Sequence, residues 1–563
     1  MMSQNLDNPS HTITMINRRT LLTTGAATLA TLSLSRAPRA QSVTEPIVET
    51  SLGKVRGARM GDVYAFRGVR YGAPTGGENR FRPPQPAQPW AGVQDALAYG
   101  PQAPQRNPNP PSGPPPVILA RLRAPTPGAT PPPPPPEGED CLFLNVWTAG
   151  LNDGRRRPVM VWLHGGFFYS GSGSSGDGAK LAARGDVVVV SVNHRLNAFG
   201  YTHLDDIGGK DFEHSGNVGM LDIIAALDWV RQNIERFGGD PKRVMVFGPS
   251  GGGMKTTFIA ASPRAQGLIH RAAVQSGPAL RFMERDHASQ VTERFLHELN
   301  IKRNELGKLR ELPAEALLSA FYKLQTTDPI AEFRRLTGFS PVLDPQLLPQ
   351  HPFDPKAAPS AAKVPMLIGW NREEVTFFMG NDEAGFSLNE DGLRERMNRL
   401  FGDQATSILS AYRKAQAQAT PSQIYIRAYS DYSIAQNAIL QAERQSAAGA
   451  KVYLYRLDFA SPAMDGRLGA LHTLEAPFIF RMTEEQKLLT GGGSKPAALA
   501  ERMSAAWVSF AANADPTAAE TGLPKWPAFD TRRRATMILD ENSRVVDDPI
   551  REERLALLAV ANR

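Results

Sequence analysis

A chain of 563 residues, 41% hydrophobic and 21% charged, is long enough to bury a large core and too apolar to be disordered as a whole. Its net charge of +7 is mild for that length, and +3 of it lies in the first forty residues (Arg18, Arg19, Arg36 and Arg39 against Asp7), so no basic surface for nucleic acid is expected. The single cysteine, Cys141, excludes an intrachain disulfide and a cysteine-rich metal site.

The N-terminal segment 1–40 reads as an export signal. Arg18-Arg19 precedes a weakly apolar run over 21–34 carrying Gly, Ala and Thr, and Ala37-Pro38-Arg39-Ala40 follows. This twin-arginine pattern is too short and too polar for a membrane span. The expectation is a periplasmic or secreted protein without a stable membrane anchor, its main domain covering 41–563. A disordered basic tail is the alternative.

Short strand-like runs and turns fill 47–90. Residues 101–138 are the most biased stretch, with "PNPPSGPPP" and six consecutive prolines over 131–136. Proline donates no backbone hydrogen bond, so this insert should be extended or disordered rather than core. A parallel-sheet rhythm follows: "PVMVWL" (158–163), "VVVVSV" (187–192), "VMVF" (244–247), "VPMLI" (364–368) and "VYLYRL" (452–457). Between them lie helical patterns such as 221–237. Strands apolar on both faces alternating with helices predict an α/β fold, a mostly parallel sheet flanked by helices. The charge-rich stretches 283–336 and 388–445 read as helical insertions over that core.

The chemistry concentrates where a strand meets a glycine cluster, in Gly248-Pro249-Ser250-Gly251-Gly252. A G-x-S-x-G placed between strand and helix forces the serine into a tight, strained turn with its hydroxyl presented, and the helix N-terminus beyond it offers N–H groups to an oxyanion. A plain glycine turn is the bland alternative. An attacking serine needs a histidine base, and the imidazole needs a carboxylate, in the chain order Ser, acid, His for this fold class. The acid is Glu374 or its neighbour Glu373, both in the loop after 364–368. The base is His472, the histidine beyond the last strand in a glycine-containing loop. A second N–H source is the loop His164-Gly165-Gly166-Phe167, facing the same point as Gly251. His164 itself reads as a structural histidine.

Over nearly its whole length past the leader the chain resembles the type-B carboxylesterase and cholinesterase family of α/β-hydrolases. The carriers are "VETSLGKVRG", "FRGVRYGAP", "EDCLFLNVW", "VMVWLHGGFFYSGSG", "NVGMLDIIAALDWVRQNIERFGGDPKRVMVFGPSGGG" and "WVSFAANADP". The resemblance implies Ser250 as nucleophile, Glu374 as acid, His472 as base and the amides of Gly166, Phe167 and Gly251 as oxyanion hole. It also implies structural ion pairs Arg80–Glu139 and Arg195–Asp222, and hydrolysis of a small-molecule ester through an acyl-enzyme without metal or cofactor. An amidase or carbamate hydrolase using the same residues, and a catalytically silent binding module, are the alternatives.

Three departures from the family pattern matter. Pro249 stands where a glutamate is common, and no tryptophan lies between Trp90 and Trp147, so choline esters lose both a charge and an aromatic face. Ala103 stands where relatives carry the disulfide partner of Cys141, which leaves that loop unclosed and Cys141 an inert buried thiol. Within the insert, the apolar patch 117–122 ("VILARL") suggests a cover over the entrance, with a disordered surface loop as the alternative.

Overall fold

A computed structural model describes residues 45–110, 135–325, 330–380, 382–517 and 521–560. The leader over 1–40 and the apolar patch 117–122 therefore lie outside the described residues. Fourteen strands are formed: β1 (Ile47–Glu49), β2 (Lys54–Arg56), β3 (Ala58–Met60), β4 (Val63–Arg70), β5 (Val93–Asp95), β6 (Phe143–Thr148), β7 (Arg157–Leu163), β8 (Val188–Val192), β9 (Gly239–Pro249), β10 (Arg271–Gln275), β11 (Met366–Asn371), β12 (Val452–Leu457), β13 (Ala535–Leu539) and β14 (Arg544–Asp547). Three of them make a small sheet in the order β1-β2-β5. The other eleven form one sheet in the order β14-β13-β12-β11-β10-β9-β7-β8-β6-β4-β3. From β8 through β13 every pairing is parallel, and the antiparallel pairs are at the two ends.

The buried strands explain why the sequence shows apolar runs here rather than alternation. Along β7, Val159, Val161 and Leu163 enter one hydrophobic cluster while Met160 and Trp162 enter another. In β9, Val244 and Val246 part in the same way from Met245 and Phe247. Both faces are covered, so each residue position contributes burial worth roughly 1.5–3 kcal/mol, and a charge at any of them would break the core. The five predicted strands all form, with ends shifted by a few residues. The largest change is at 244–247, which lengthens to β9.

The helix predicted over 221–237 begins earlier, at Val218–Asn233, and tightens into a 3-10 turn at Ile234–Phe237. The stretch 388–445 forms the helices Glu390–Phe401, Ala405–Ala415 and Pro421–Ser430, which share a third apolar cluster around Leu393, Met397, Phe401, Ile408 and Ile424, and the helix Gln436–Ala447, whose Ala438, Ile439 and Ala442 join the first cluster. No helix among the described residues is long and apolar enough to cross a membrane.

The buried pair Arg195–Asp222 (2.6 Å) and the part-buried pair Arg80–Glu139 form as the resemblance implied. Cys141 is fully buried and unpaired, and burial pushes its thiol far above the ordinary range, which keeps it unreactive. The expectation of an unclosed loop beside Ala103 needs correction. Gln102 and Glu137 pair across the base of the insert, with Gln102 N–H to Pro136 O at 2.9 Å and Gly138 N–H to Gln102 O at 3.0 Å. The Glu137 carboxylate accepts the N–H groups of Gln105 and Arg106, both at 2.9 Å. Backbone and carboxylate bonds thus clasp the base that the missing disulfide leaves without a covalent tie.

Candidate active site

Parallel strands bring their carboxyl ends to one edge, and the loops that leave β7, β9, β11 and β12 there carry the candidate residues. Ser250 follows β9 directly, with φ +58° and ψ −126°, and the helix Gly251–Ala261 starts at the next residue. Such a conformation is costly for a residue with a side chain and persists only where its surroundings hold it. Here Ser250 N–H donates to Gln275 O at the end of β10 (2.8 Å) and Met254 N–H returns to Ser250 O (3.1 Å).

The 164–167 loop lies against this turn. A Cβ on Gly251 would come within 2.3 Å of Phe167 O and 2.4 Å of Phe167 N, so only glycine lets the two backbones meet. Gly166 and Phe167 both have positive φ, +86° and +51°. For a bulky residue such as Phe167 that is strain, stored in the segment that would receive an oxyanion. Among the described residues no acceptor is seen for the N–H groups of Gly166, Phe167 or Gly251.

Glu374 and His472 are brought together from 98 residues apart. His472 Nδ1 bonds Glu374 Oε2 at 2.5 Å, and the other carboxylate oxygen accepts Asn371 N–H at 2.7 Å. Both side chains are buried, and His472 Nε2 is buried with no partner among the described residues. The hydrogen bond from Ser250 to that nitrogen is not formed here; in unliganded sites such bonds are commonly long and tighten with substrate. Phe333, Phe377 and Phe378 surround the His472 ring at 5.2, 5.9 and 4.9 Å, and Phe333 also meets Phe167 at 4.8 Å. The histidine and the candidate oxyanion loop therefore share an apolar aromatic wall.

The two adjacent glutamates differ in what they touch. Glu373 faces away from His472: its Oε1 takes Arg372 Nε (2.6 Å) and its Oε2 takes Ala470 N–H (2.9 Å), while Glu373 N–H donates to Ala470 O (3.0 Å). It grips the His472 loop two residues upstream.

Two neighbours escaped the sequence reading. Asn371, the last residue of β11, donates from Nδ2 to Leu471 O and to Glu475 Oε2, both at 2.7 Å, tying the acid loop to the histidine loop. A polar residue closing the apolar run "MLIGWN" was the available signal. Glu475 is fully buried, and burial first, then the nearby negative Glu374, raise its carboxyl to about 7. His164 is buried and burial holds its imidazole well below the ordinary range, as suits a structural histidine.

Asp205, His214 and Asp344 bring donor atoms within 4.8 Å of one another. They already bond each other and the local backbone, His214 Nδ1 to Asp344 Oδ2 at 2.7 Å and His214 N–H to Asp205 Oδ2 at 2.9 Å, and act as a loop clasp.

A model of the carboxylesterase family matches residues 44–558. The para-nitrobenzyl esterase of Bacillus subtilis (strain 168) is 35% identical over 520 residues, spanning 92% of this chain and 99% of that protein. The phenmedipham hydrolase of Pseudarthrobacter oxydans is 33% identical over 531 residues, with the same two coverages of 92% and 99%. In three dimensions, the crystal structure of a Geobacillus stearothermophilus carboxylesterase matches with a TM-score of 0.76 at 34% identity, covering 91% of this chain and 99% of that one.

Proposed function

This chain belongs to the carboxylesterase family, has the α/β-hydrolase fold and is a carboxylic-ester hydrolase; from that premise we propose that Ser250, His472 and Glu374 cleave neutral esters through an acyl-enzyme. The observation that carries the assignment is the 2.5 Å bond between Glu374 and His472 Nδ1, which leaves Nε2 as the free, buried base. Ser250 Oγ bonds to the ester carbonyl carbon as its proton passes to Nε2, and the carbonyl oxygen becomes an anion before the amides of Gly166, Phe167 and Gly251. Collapse of that intermediate breaks the bond to the alcohol oxygen, which takes the proton from His472. Water then repeats both steps on the acyl-enzyme and releases the acid. Glu374 keeps the imidazole in the required tautomer and stabilises it while charged.

The phenylalanines around His472, Pro249 before the nucleophile, and the lack of a tryptophan between Trp90 and Trp147 support a preference for uncharged over quaternary-ammonium substrates. The relative named for phenmedipham hydrolysis supports a second reading, in which the same residues cleave a carbamate or amide. The twin-arginine leader supports export to the periplasm or beyond.

The test is a paired assay with site mapping. Purified protein should hydrolyse short-chain nitrophenyl esters, prefer a neutral ester over the choline ester of the same acid, and be labelled by a fluorophosphonate at Ser250 alone. Labelling elsewhere, or equal specificity constants for the paired esters, would remove the corresponding part of the reading.

A further inference from the structure

Five residues beyond Ser250 stands a lysine with no exposed surface. Lys255 lies inside the helix Gly251–Ala261, and its Nζ donates to the carbonyl of His164 at 2.9 Å. Among the described residues no carboxylate pairs with it. Around it are the Phe168 ring, 5.8 Å from Nζ, and the imidazoles of His164 and His194, stacked 4.8 Å apart at 7°. Each imidazole bonds a carbonyl through Nδ1, at Gly165 and Arg195, and each Nε2 is buried without a partner among the described residues. Burial holds the lysine well below its ordinary range, and its charge adds to burial in lowering both histidines.

An amine so placed is an expensive core residue. Three basic groups share an interior with no acid among the described residues paired to offset them, and an apolar side chain of similar length would be cheaper to bury. A costly residue beside a reaction site points to a role in activity rather than stability. The carbonyl it holds is informative. His164 is the first residue after β7, and its C=O lies in one rigid plane with the Gly165 N–H, so a bond to that oxygen fixes the first peptide of the loop leading to Gly166 and Phe167.

We propose that Lys255 is a positioning residue for ester cleavage: from within the nucleophile helix it holds the His164 carbonyl, and so keeps the Gly166 and Phe167 amides aimed at the oxyanion alongside that of Gly251. This rests on the roles given above to Ser250 and to those amides. Helix and loop are then tied twice, by the close glycine contact at 251 and by the lysine below it.

The experiment compares wild type, Lys255→Met and Lys255→Gln for kcat and KM on a nitrophenyl ester, for Tm, and for inhibition by a trifluoromethyl ketone and its non-fluorinated methyl ketone. The fluorinated compound forms the anionic tetrahedral adduct, whereas the methyl ketone reports ground-state binding. Lys255→Met should lower kcat about 10- to 100-fold with KM within about threefold, and weaken the trifluoromethyl ketone by a similar factor. Methyl ketone binding should hold, and Tm should stay level or rise because the buried amine is gone. Lys255→Gln, shorter but still a donor, should retain more activity than Lys255→Met. Unchanged kcat, a reversed order of the two variants, or a joint fall of Tm, kcat and both ketone affinities overturns the proposal. If Lys255→Met is insoluble, the same readouts on Lys255→Gln decide. Fluorophosphonate labelling separates the two levels: an unlabelled Ser250 in wild type removes the underlying site reading and this proposal with it, whereas a labelled wild type with an unimpaired Lys255→Met removes this proposal alone.

Discussion

Around Ser250 the site is held by backbone contacts so close that one added methyl on Gly251 would collide with Phe167, and the buried amine of Lys255 bonds the His164 carbonyl beneath them. Around His472 the reverse holds. There the loops are joined by carboxylates and an amide: Glu374 on the ring, Glu373 on Ala470 N–H, and Asn371 between Leu471 and Glu475. In the proposed mechanism the oxyanion side must present fixed N–H dipoles, and the close backbone contact at Gly251 together with the Lys255 bond to the His164 carbonyl supplies that fixity. The base side must stabilise an imidazolium that appears during the reaction, which calls for a buried negative charge held in place by donors. Damage to the first wall should therefore act through geometry, and damage to the second through charge.

The largest expected effect breaks the second wall. Glu374→Gln keeps the shape and removes the charge, and should lower kcat by about 10³- to 10⁴-fold in steady-state assays with little change in KM. If Glu373→Gln proved the more damaging change, the division of labour between the adjacent glutamates would be reversed.

Next comes the first wall. Gly251→Ala should cost about 10²-fold in kcat and about 1–3 kcal/mol of stability, because the methyl must push the Phe167 peptide aside. Denaturant melts alongside kinetics would check it. A fall in stability with full activity would show that the Phe167 amide is not in the hole.

Glu373→Gln sharpens the contrast. It loosens the loop without touching the ring, so kcat should fall only about tenfold or less while stability drops by about 1–2 kcal/mol. Thermal melts and kcat measured on the same preparation would test that separation.

The smallest effect on turnover is expected from Glu475→Gln, where the signature lies in pH. The Glu475 carboxyl is raised to about 7 in the folded chain. Folding therefore favours its protonated form, a stabilisation complete below the unfolded carboxyl range near 4.5 and lost as pH rises through about 7. Removing the acid should leave stability unchanged near pH 4.5 and raise it relative to wild type by up to roughly 3 kcal/mol at pH 8. Parallel melts of the two proteins across that window would show the curves diverging upward, and curves that stay parallel would contradict it.

How much of this could be read beforehand follows the same division. The elbow was legible because its parts are contiguous: the apolar 244–247, the G-P-S-G-G turn and the helix after it are one local pattern whose physics does not depend on distant residues. The loop at Gly166 and Phe167 was legible for a similar reason, as glycines directly after a buried strand. Glu374 could be narrowed only to one of two neighbours by chain order. Asn371, Glu475 and the direction of Glu373 could not be read, because each takes its role from a partner about 100 residues away or from burial.

By itself, then, the sequence determined the class of fold, the strands and the turn that presents the proposed nucleophile, since apolar periodicity and a strained glycine turn are local consequences of side-chain size and backbone freedom. Only the tertiary structure decided which glutamate meets the histidine, what closes the base of the proline-rich insert without a disulfide, and that Lys255 lies under the oxyanion loop rather than in solvent. A hydrogen bond takes its direction, and a buried charge its cost, from atoms remote in sequence, and those exist as neighbours only once the sheet has brought its strand ends to one edge.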